Sequence, residues 1–200
     1  MIIWLNGAFG SGKTSAAFEL NRRLENSFVY DPENIGYFIR RNAPKVFSRG
    51  DFQDIPLWRE TNYKMLKMLS EQYGGTLIVP MTLVNPDYYA EIVGRLTADG
   101  VPLRHFILYA SRGEIRRRLK IRSLRFIGRE SFAVGSIERC VTAFDTVITE
   151  EKIDTEHLSV DGVVDEIARL CGLQLLPERK TRLGKALFRL KILIKHIRRF

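Results

Sequence analysis

Residues 7–14 read Gly-Ala-Phe-Gly-Ser-Gly-Lys-Thr and satisfy the pattern G-x-x-x-x-G-K-[ST] at every position. Each residue type has a job in holding a polyphosphate. Gly7, Gly10 and Gly12 let the backbone curl, with Ala8, Phe9 and Ser11 between them, until successive N–H groups point at phosphate oxygens. Lys13 reaches the β- and γ-phosphates of a nucleotide such as ATP, and the Thr14 hydroxyl takes a place on Mg²⁺. A glycine-rich turn alone can match such a pattern by chance, so the flanks decide. Residues 1–6 form a short apolar run suited to a buried strand, and Ala17, Leu20 and Leu24 recur afterwards at helical spacing. Strand, loop and helix follow in the order that aims a helix N-terminus at the phosphates.

Phosphoryl transfer also needs an orienting group for the attacking hydroxyl and cations around the moving charge. Asp31, in "VYDPENIG", directly follows the second predicted strand and falls on the same sheet edge as the loop. Its carboxylate can take a proton from a substrate hydroxyl or hold a water on Mg²⁺; it can equally cap the helix that Glu33 begins. Arg118 and Arg122, spaced i, i+4 after the fourth strand, are the candidate cations, with Arg125, Arg129 and Arg139 extending the set past Gly128 and Gly135. The competing reading is a solvated basic helix face. Arg116 and Arg117 are expected in solvent.

These groups must be positioned by an alternation of strands and helices, which argues for an α/β fold with a parallel sheet covered on both faces. Predicted strands are 1–6, 27–30, 76–81, 102–109 and 153–155. A helix over 54–73 places Trp58, Thr61, Met65 and Leu69 on one side and Arg59, Glu60, Lys64 and Lys67 largely on the other, stopping at Gly74-Gly75. Asn85-Pro86 provides an N-cap and first turn for a helix to about Ala98. Ser111 and Glu114 form a capping box ahead of a helix that turns Ile115 and Leu119 inward. A last domain helix runs through Val164, Ile167 and Leu170 to Gly172.

Five strands with the phosphate loop after the first resemble the P-loop kinase branch of nucleoside and nucleotide kinases. That resemblance implies the strand order 2-3-1-4-5 and an arginine-bearing lid after the fourth strand. It also implies an acceptor pocket covered by the segments holding Phe38, Arg40, Arg41, Trp58, Arg59 and Tyr63, with Asp31, Glu33, Arg40 and Trp58 as candidate substrate contacts. Core packing competes for Trp58 and Tyr63. The acidic residue that many P-loop proteins carry at the end of the third strand is missing, since the sequence there reads "TLIVPMTLVNP". Magnesium would then rest on Thr14, phosphate oxygens, water and Asp31.

Two hundred residues with 45% hydrophobic content support one core. No apolar stretch is long enough to span a bilayer, and the start lacks the features of a signal peptide, so a cytoplasmic location is expected. Cys140 and Cys171 have no metal-ligand spacing and are expected as reduced thiols. The formal charge is +9, but residues 179–200 hold nine Lys or Arg and no acid, while residues 1–178 hold 23 charges of each sign. The expected division is therefore a kinase-like domain over 1–176 and a basic helix over 177–200. Leu183, Ala186, Leu187, Leu190, Leu193, Ile194 and Ile197 share an arc of about 120° on that helix. Such a helix can lie on an anionic membrane surface through 183–200, each basic residue adding about 1 kcal/mol. Docking on its own domain and a dimer contact are the alternatives, and the greasy stripe argues against nucleic acid.

Taken together, "MIIWLNGAFGSGKT", "VYDPENIG", "DFQDIPLW", "LIVPMT", "GRL", "IERC" and the basic tail resemble the tunicamycin-resistance ATP-binding family along nearly the whole chain. The resemblance implies ATP binding, protection against the nucleoside antibiotic tunicamycin, and membrane association through the C-terminal helix. The expectation is an ATP-dependent phosphotransferase acting on the drug at the inner membrane face. A binder that sequesters the drug, or a kinase of a small metabolite, is the alternative.

Overall fold

The structure, a computed structural model, describes residues 1–44, 46, 50–126 and 131–197, excluding the side chains of 123–126, 131, 132, 193 and 195–197. Five strands, β1 (Ile2–Asn6), β2 (Ser27–Val29), β3 (Thr76–Pro80), β4 (Leu103–Tyr109) and β5 (Glu151–Asp154), form one parallel sheet in the order β2-β3-β1-β4-β5. This is the order expected from the P-loop kinase resemblance. β1 is central, Ile3 pairing with Ile78 on one side and Arg104 on the other. Every residue of β1 and β3 is buried, as continuous apolar runs in a two-sided sheet require.

Alternation along β1 divides the core. Ile2 and Trp4 join Leu77 and Val79 against α3 (Pro56–Gln72) and the helical segment that follows β3. Ile3 and Leu5 join Ile78, Phe106 and Leu108 against α1 (Lys13–Arg23) and α9 (Val160–Cys171). Each fully buried Leu or Ile contributes roughly 1.5–3 kcal/mol, so both faces of the strand that feeds the phosphate loop are held firmly. A third cluster packs α6 (Arg112–Phe126) and α8 (Ile137–Thr146) over Ala8 of the loop, through Ile115, Leu119, Cys140 and Phe144. The short α7 (Ser131–Gly135) links them, and α2 (Glu33–Asn42) follows β2.

Several local expectations need adjusting. Asn85 caps the next helix, its Oδ1 accepting from Asp87 N at 2.8 Å and Tyr88 N at 3.3 Å. That helix is not uniform: α4 (Pro86–Tyr89) passes through a π turn (Ala90–Gly94) into α5 (Arg95–Ala98). The capping box at Ser111 is only half made. Ser111 Oγ accepts from Glu114 N at 3.3 Å, but Glu114 turns to Arg117 and Arg118, and Glu156 takes the Ser111 N–H at 2.9 Å. The buried face of α3 runs through Trp58, Arg59, Asn62, Tyr63 and Leu66. Arg59 is thus inside rather than in solvent, because Glu91 takes its Nε at 2.7 Å and Tyr88 stacks 4.2 Å from the guanidinium. The last strand begins at Glu151, two residues before the predicted start, and α10 (Arg182–Ile197) is the last described helix. Among the described residues no helix is long and apolar enough to cross a membrane.

Candidate nucleotide and acceptor site

The phosphate loop is fixed from its first residue. Asn6 Nδ2 donates to Leu83 O at 2.8 Å, and its Oδ1 accepts from Gly7 N and Leu83 N, each at 2.9 Å. This lashes the loop to the segment after β3. A Cβ on Gly7, whose φ is 142°, would lie 2.6 Å from both Leu108 O and Ser11 Oγ, so no other residue fits. Gly12 caps α1 in the left-handed region at φ 98°, and a Cβ there would meet nothing within 4 Å. The space above it is where the first N–H groups of α1 need acceptors.

Lys13 is buried and bends back on the loop, donating to Gly7 O at 2.8 Å and Ala8 O at 2.9 Å. Burial above all, with a smaller push from nearby Arg122 and against the opposing influence of Cys140 and Glu33, brings its ammonium down to about 8. Ser11 Oγ is buried without a protein partner. A buried hydroxyl lacking an acceptor or donor, an open helix N-terminus and a desolvated ammonium suit one kind of ligand, an oxyanion cluster such as a polyphosphate. Thr14 sits one residue on, in the first turn of α1, where its hydroxyl belongs to a magnesium site in such loops.

Beside the loop lies a cavity of 210 Å³ walled by Gly12, Ala16, Arg118, Leu158, Val160 and Val163. An apolar slot with one planar cation suits a flat heterocyclic base. Arg118 is held there by Glu114, 2.7 Å from its Nε, and by Thr155, whose carbonyl accepts at 2.5 Å. The two arginines spaced i, i+4 therefore divide: Arg118 walls this cavity, and Arg122, one turn on, influences Lys13. Arg116 and Arg117 face solvent and pair with Glu138 and Glu114. The Arg125 side chain, Gly128 and Arg129 lie outside the described residues.

On the other side of the loop, β2 is two strands from β1, about 10 Å at ordinary strand spacing. Asp31 follows it, half-buried, and its Oδ1 accepts from Glu33 N at 3.1 Å. The capping role expected of Asp31 is therefore made. Glu33 accepts from Tyr37 OH at 3.1 Å and acts electrostatically on Lys13. Trp58 does not face it. The indole is fully buried, packs 5.3 Å from Phe52, and donates to Pro32 O at 3.0 Å. It pins the Asp31-Pro32 turn from beneath and presents no surface to a substrate. Arg40 donates to Gly50 O at 2.7 Å and lies over the Phe52 ring at 5.3 Å.

Three residues that sequence reasoning passed over belong here. Asp51 caps the 3₁₀ turn Phe52–Asp54 through Gln53 N at 3.0 Å, and its other oxygen lies 4.0 Å from Arg139 of α8. Burial raises its carboxyl above the usual range. Thr82, at the place of the missing acid, donates to Gly7 O at 2.8 Å, and Gln53 donates to Thr82 O at 3.1 Å. An Asp ahead of an aromatic turn is a readable cap signal. Its approach to Arg139, far along the chain, has no local signal.

Comparison with known proteins agrees with this geometry. The profile of the AAA domain family matches residues 2–135. The tunicamycin resistance protein of Deinococcus radiodurans superposes with a TM-score of 0.73 at 30% identity, over 88% of this chain and 99% of that one. A shikimate kinase from Bacteroides thetaiotaomicron (TM-score 0.56, 18% identity, 86% and 99% covered) shares the fold. So does a deoxyadenosine kinase from M. mycoides (0.51, 19%, 86% and 99%). A search of curated proteins gave no match. With the phosphate loop, the sheet order and a relative matched almost end to end, the chain belongs to the tunicamycin-resistance group of P-loop, kinase-like nucleotide-binding proteins.

Proposed function

We propose that the protein is an ATP-dependent phosphotransferase that modifies tunicamycin or a similar nucleoside-type antibiotic, working at the inner face of the cell membrane. The observation that carries this reading is the buried Lys13 bent back on the phosphate loop, within electrostatic reach of Arg122 and of Glu33, whose N–H is capped by Asp31. Cations on the donor side and carboxylates on the acceptor side are what in-line transfer to a hydroxyl requires. The name of the Deinococcus radiodurans relative supports the substrate class. Asp31 accepts the proton of the substrate hydroxyl as its oxygen bonds to the γ-phosphorus and the bond to the β-phosphate oxygen breaks, leaving ADP. Lys13 leaves the carbonyls of Gly7 and Ala8 to hold phosphate oxygens, and Arg122 balances the equatorial charge. Thr14 would hold Mg²⁺, which would supply charge neutralisation. Arg118 and the apolar slot hold the base.

Mass spectrometry of tunicamycin incubated with protein, ATP and Mg²⁺ tests this. The drug should gain one phosphoryl group. Unchanged drug retained tightly by the protein would favour sequestration, a reading to which the absence of an acid after β3 lends some weight. Phosphorylation of a sugar alcohol or nucleoside instead would point to a metabolite kinase.

A further inference from the structure

The C-terminal helix docks with its charged side inward. Lys185 Nζ lies 3.1 Å from both Asp161 Oδ2 and Glu178 Oε2, and an Arg189 guanidinium nitrogen is 2.8 Å from Asp161 Oδ1. Arg22 of α1 closes the group, pairing with Glu19 and, at 2.6 Å, with Glu178. Glu19 is fully buried, and single oxygens of Glu19, Asp161 and Glu178 lie within 4.8 Å of one another. Three carboxylates this close repel unless cations stand among them, and two of the three cations come from α10.

Lys185, Arg189 and the buried Ile192 follow one another at i, i+4, i+7, which defines the docked stripe. Leu183, Leu187, Leu190 and Ile194 run along the opposite side, with exposures of 70%, 58%, 42% and 38%. An ordinary surface helix does the reverse. Among the described residues, the exposed Arg179, Lys180, Arg182 and Lys191 are the tail cations left outside these ion pairs. A second copy of the chain seated symmetrically on this ridge would bring those cations against their own equivalents, whereas an anionic lipid surface meets both the charge and the apolar stripe.

We propose that α10 binds an anionic bilayer while still latched to its domain. The ion pairs of Lys185 and Arg189 turn the apolar ridge outward, and the membrane lies against the α1–α9–α10 side of the protein. The inference rests on the membrane reading above and goes past it by excluding a free-swinging anchor. Since Lys185 and Arg189 are already neutralised by the domain, attraction to headgroups among the described residues falls to Arg179, Lys180, Arg182 and Lys191. The first turn of α9 carries both Asp161 and the slot residue Val160, so the latch also sets the nucleotide site at a fixed aspect to the bilayer.

Asp161→Cys with Arg189→Cys, in a Cys171→Ser background, allows α10 to be tied to α9 by a short bismaleimide. Tied and untied protein are mixed with phosphatidylglycerol–phosphatidylcholine vesicles and with phosphatidylcholine alone. The tied protein should bind the anionic vesicles within about twofold of wild type, while Leu187→Glu with Ile194→Glu should weaken binding about tenfold or more. A loss of about tenfold or more on tying would overturn the latch, because the helix would then have to leave the domain to reach lipid. Hydrogen exchange of the wild-type protein decides the same point should the cysteine variant misfold. Amides of α1 and α9 stay protected on vesicles if the latch holds and open if it releases. Wild type that ignores anionic vesicles sinks the membrane reading itself. Ridge substitutions that convert a dimer to monomer in sedimentation would give the ridge to a second copy.

Discussion

Raising the pH through 8 should weaken nucleotide binding, and Lys13 sets the size of the effect. In the free protein its ammonium is buried against the carbonyls of Gly7 and Ala8, and burial brings it down to about 8. A nucleotide bound at the loop places negative charge beside that group and so binds the protonated form. At pH 7 about nine-tenths of the free protein carries the proton, and at pH 9 about one-tenth, so the apparent affinity should fall roughly tenfold between them. The window lies above the second ionisation of phosphate, roughly 6, which leaves the lysine as the titrating group. For folding the sign is opposite. A depressed lysine is disfavoured in its charged form by the native state, so its cost to unliganded stability is full below 8 and disappears as pH rises past 10.5, its ordinary value. Calorimetric titration with ATP in two buffers of different ionisation enthalpy reads the effect directly: near pH 8, about half a proton should be taken up per nucleotide bound. Lys13→Arg, whose guanidinium keeps its proton, should flatten the profile. An affinity level from pH 7 to 9, or an equal slope in Lys13→Arg, would refute the assignment.

Further outcomes are expected. Asp31→Asn keeps the bond to Glu33 N but cannot take a proton, so turnover measured by product mass should fall about 100-fold or more with ATP affinity retained; unaltered protection of cells would remove Asp31 from catalysis. Trp58→Phe leaves Pro32 O without its donor and should cost about 1–3 kcal/mol in urea unfolding, acting through the Asp31 turn rather than through substrate contact. Its effect on stability should vanish if the indole N–H is idle. Truncation after Pro177 removes the outward apolar ridge and the cations that flank it, and should leave ATP binding intact while moving the protein off membranes; immediate aggregation of the truncated chain would mean that α10 belongs to the core.

The legible parts of this protein are those whose cause is local. The phosphate loop declares itself because strand, glycines, lysine and helix are contiguous, and the sheet order follows from strands alternating with helices once the P-loop kinase resemblance is noted. Asn85, Ile115 and Leu119 behave as their spacing predicts for the same reason. Trp58 shows the limit. Its residue type suits a pocket wall and a core anchor alike, and the choice is made by Phe52 and Pro32, which close around it from other segments. Arg59 was misplaced because its partner Glu91 lies 32 residues away on another helix. Asp51 and Thr82 were missed for a related reason: each gains its meaning from a distant group, Arg139 in one case and Gly7 O in the other.

The tail carries this reasoning furthest. A helical wheel divides 183–197 into an apolar and a basic side, and burial of the apolar side is the ordinary expectation for a helix packed on a domain. What reverses it is a charge problem elsewhere. Glu19 is buried on α1 beside Asp161 and Glu178, and among the described residues of the domain Arg22 alone answers them. Lys185 and Arg189 complete the neutralisation, and in doing so they decide which side of α10 is left outward. The apolar ridge is thus exposed by ion pairs behind it rather than by any property of its own residues. Asp161→Asn with Glu178→Gln should therefore loosen α10 and raise its amide exchange while leaving the ridge sequence untouched. Exchange rates unaltered by that change would mean that Ile192 and the other packing contacts, and not the latch, hold the helix in place.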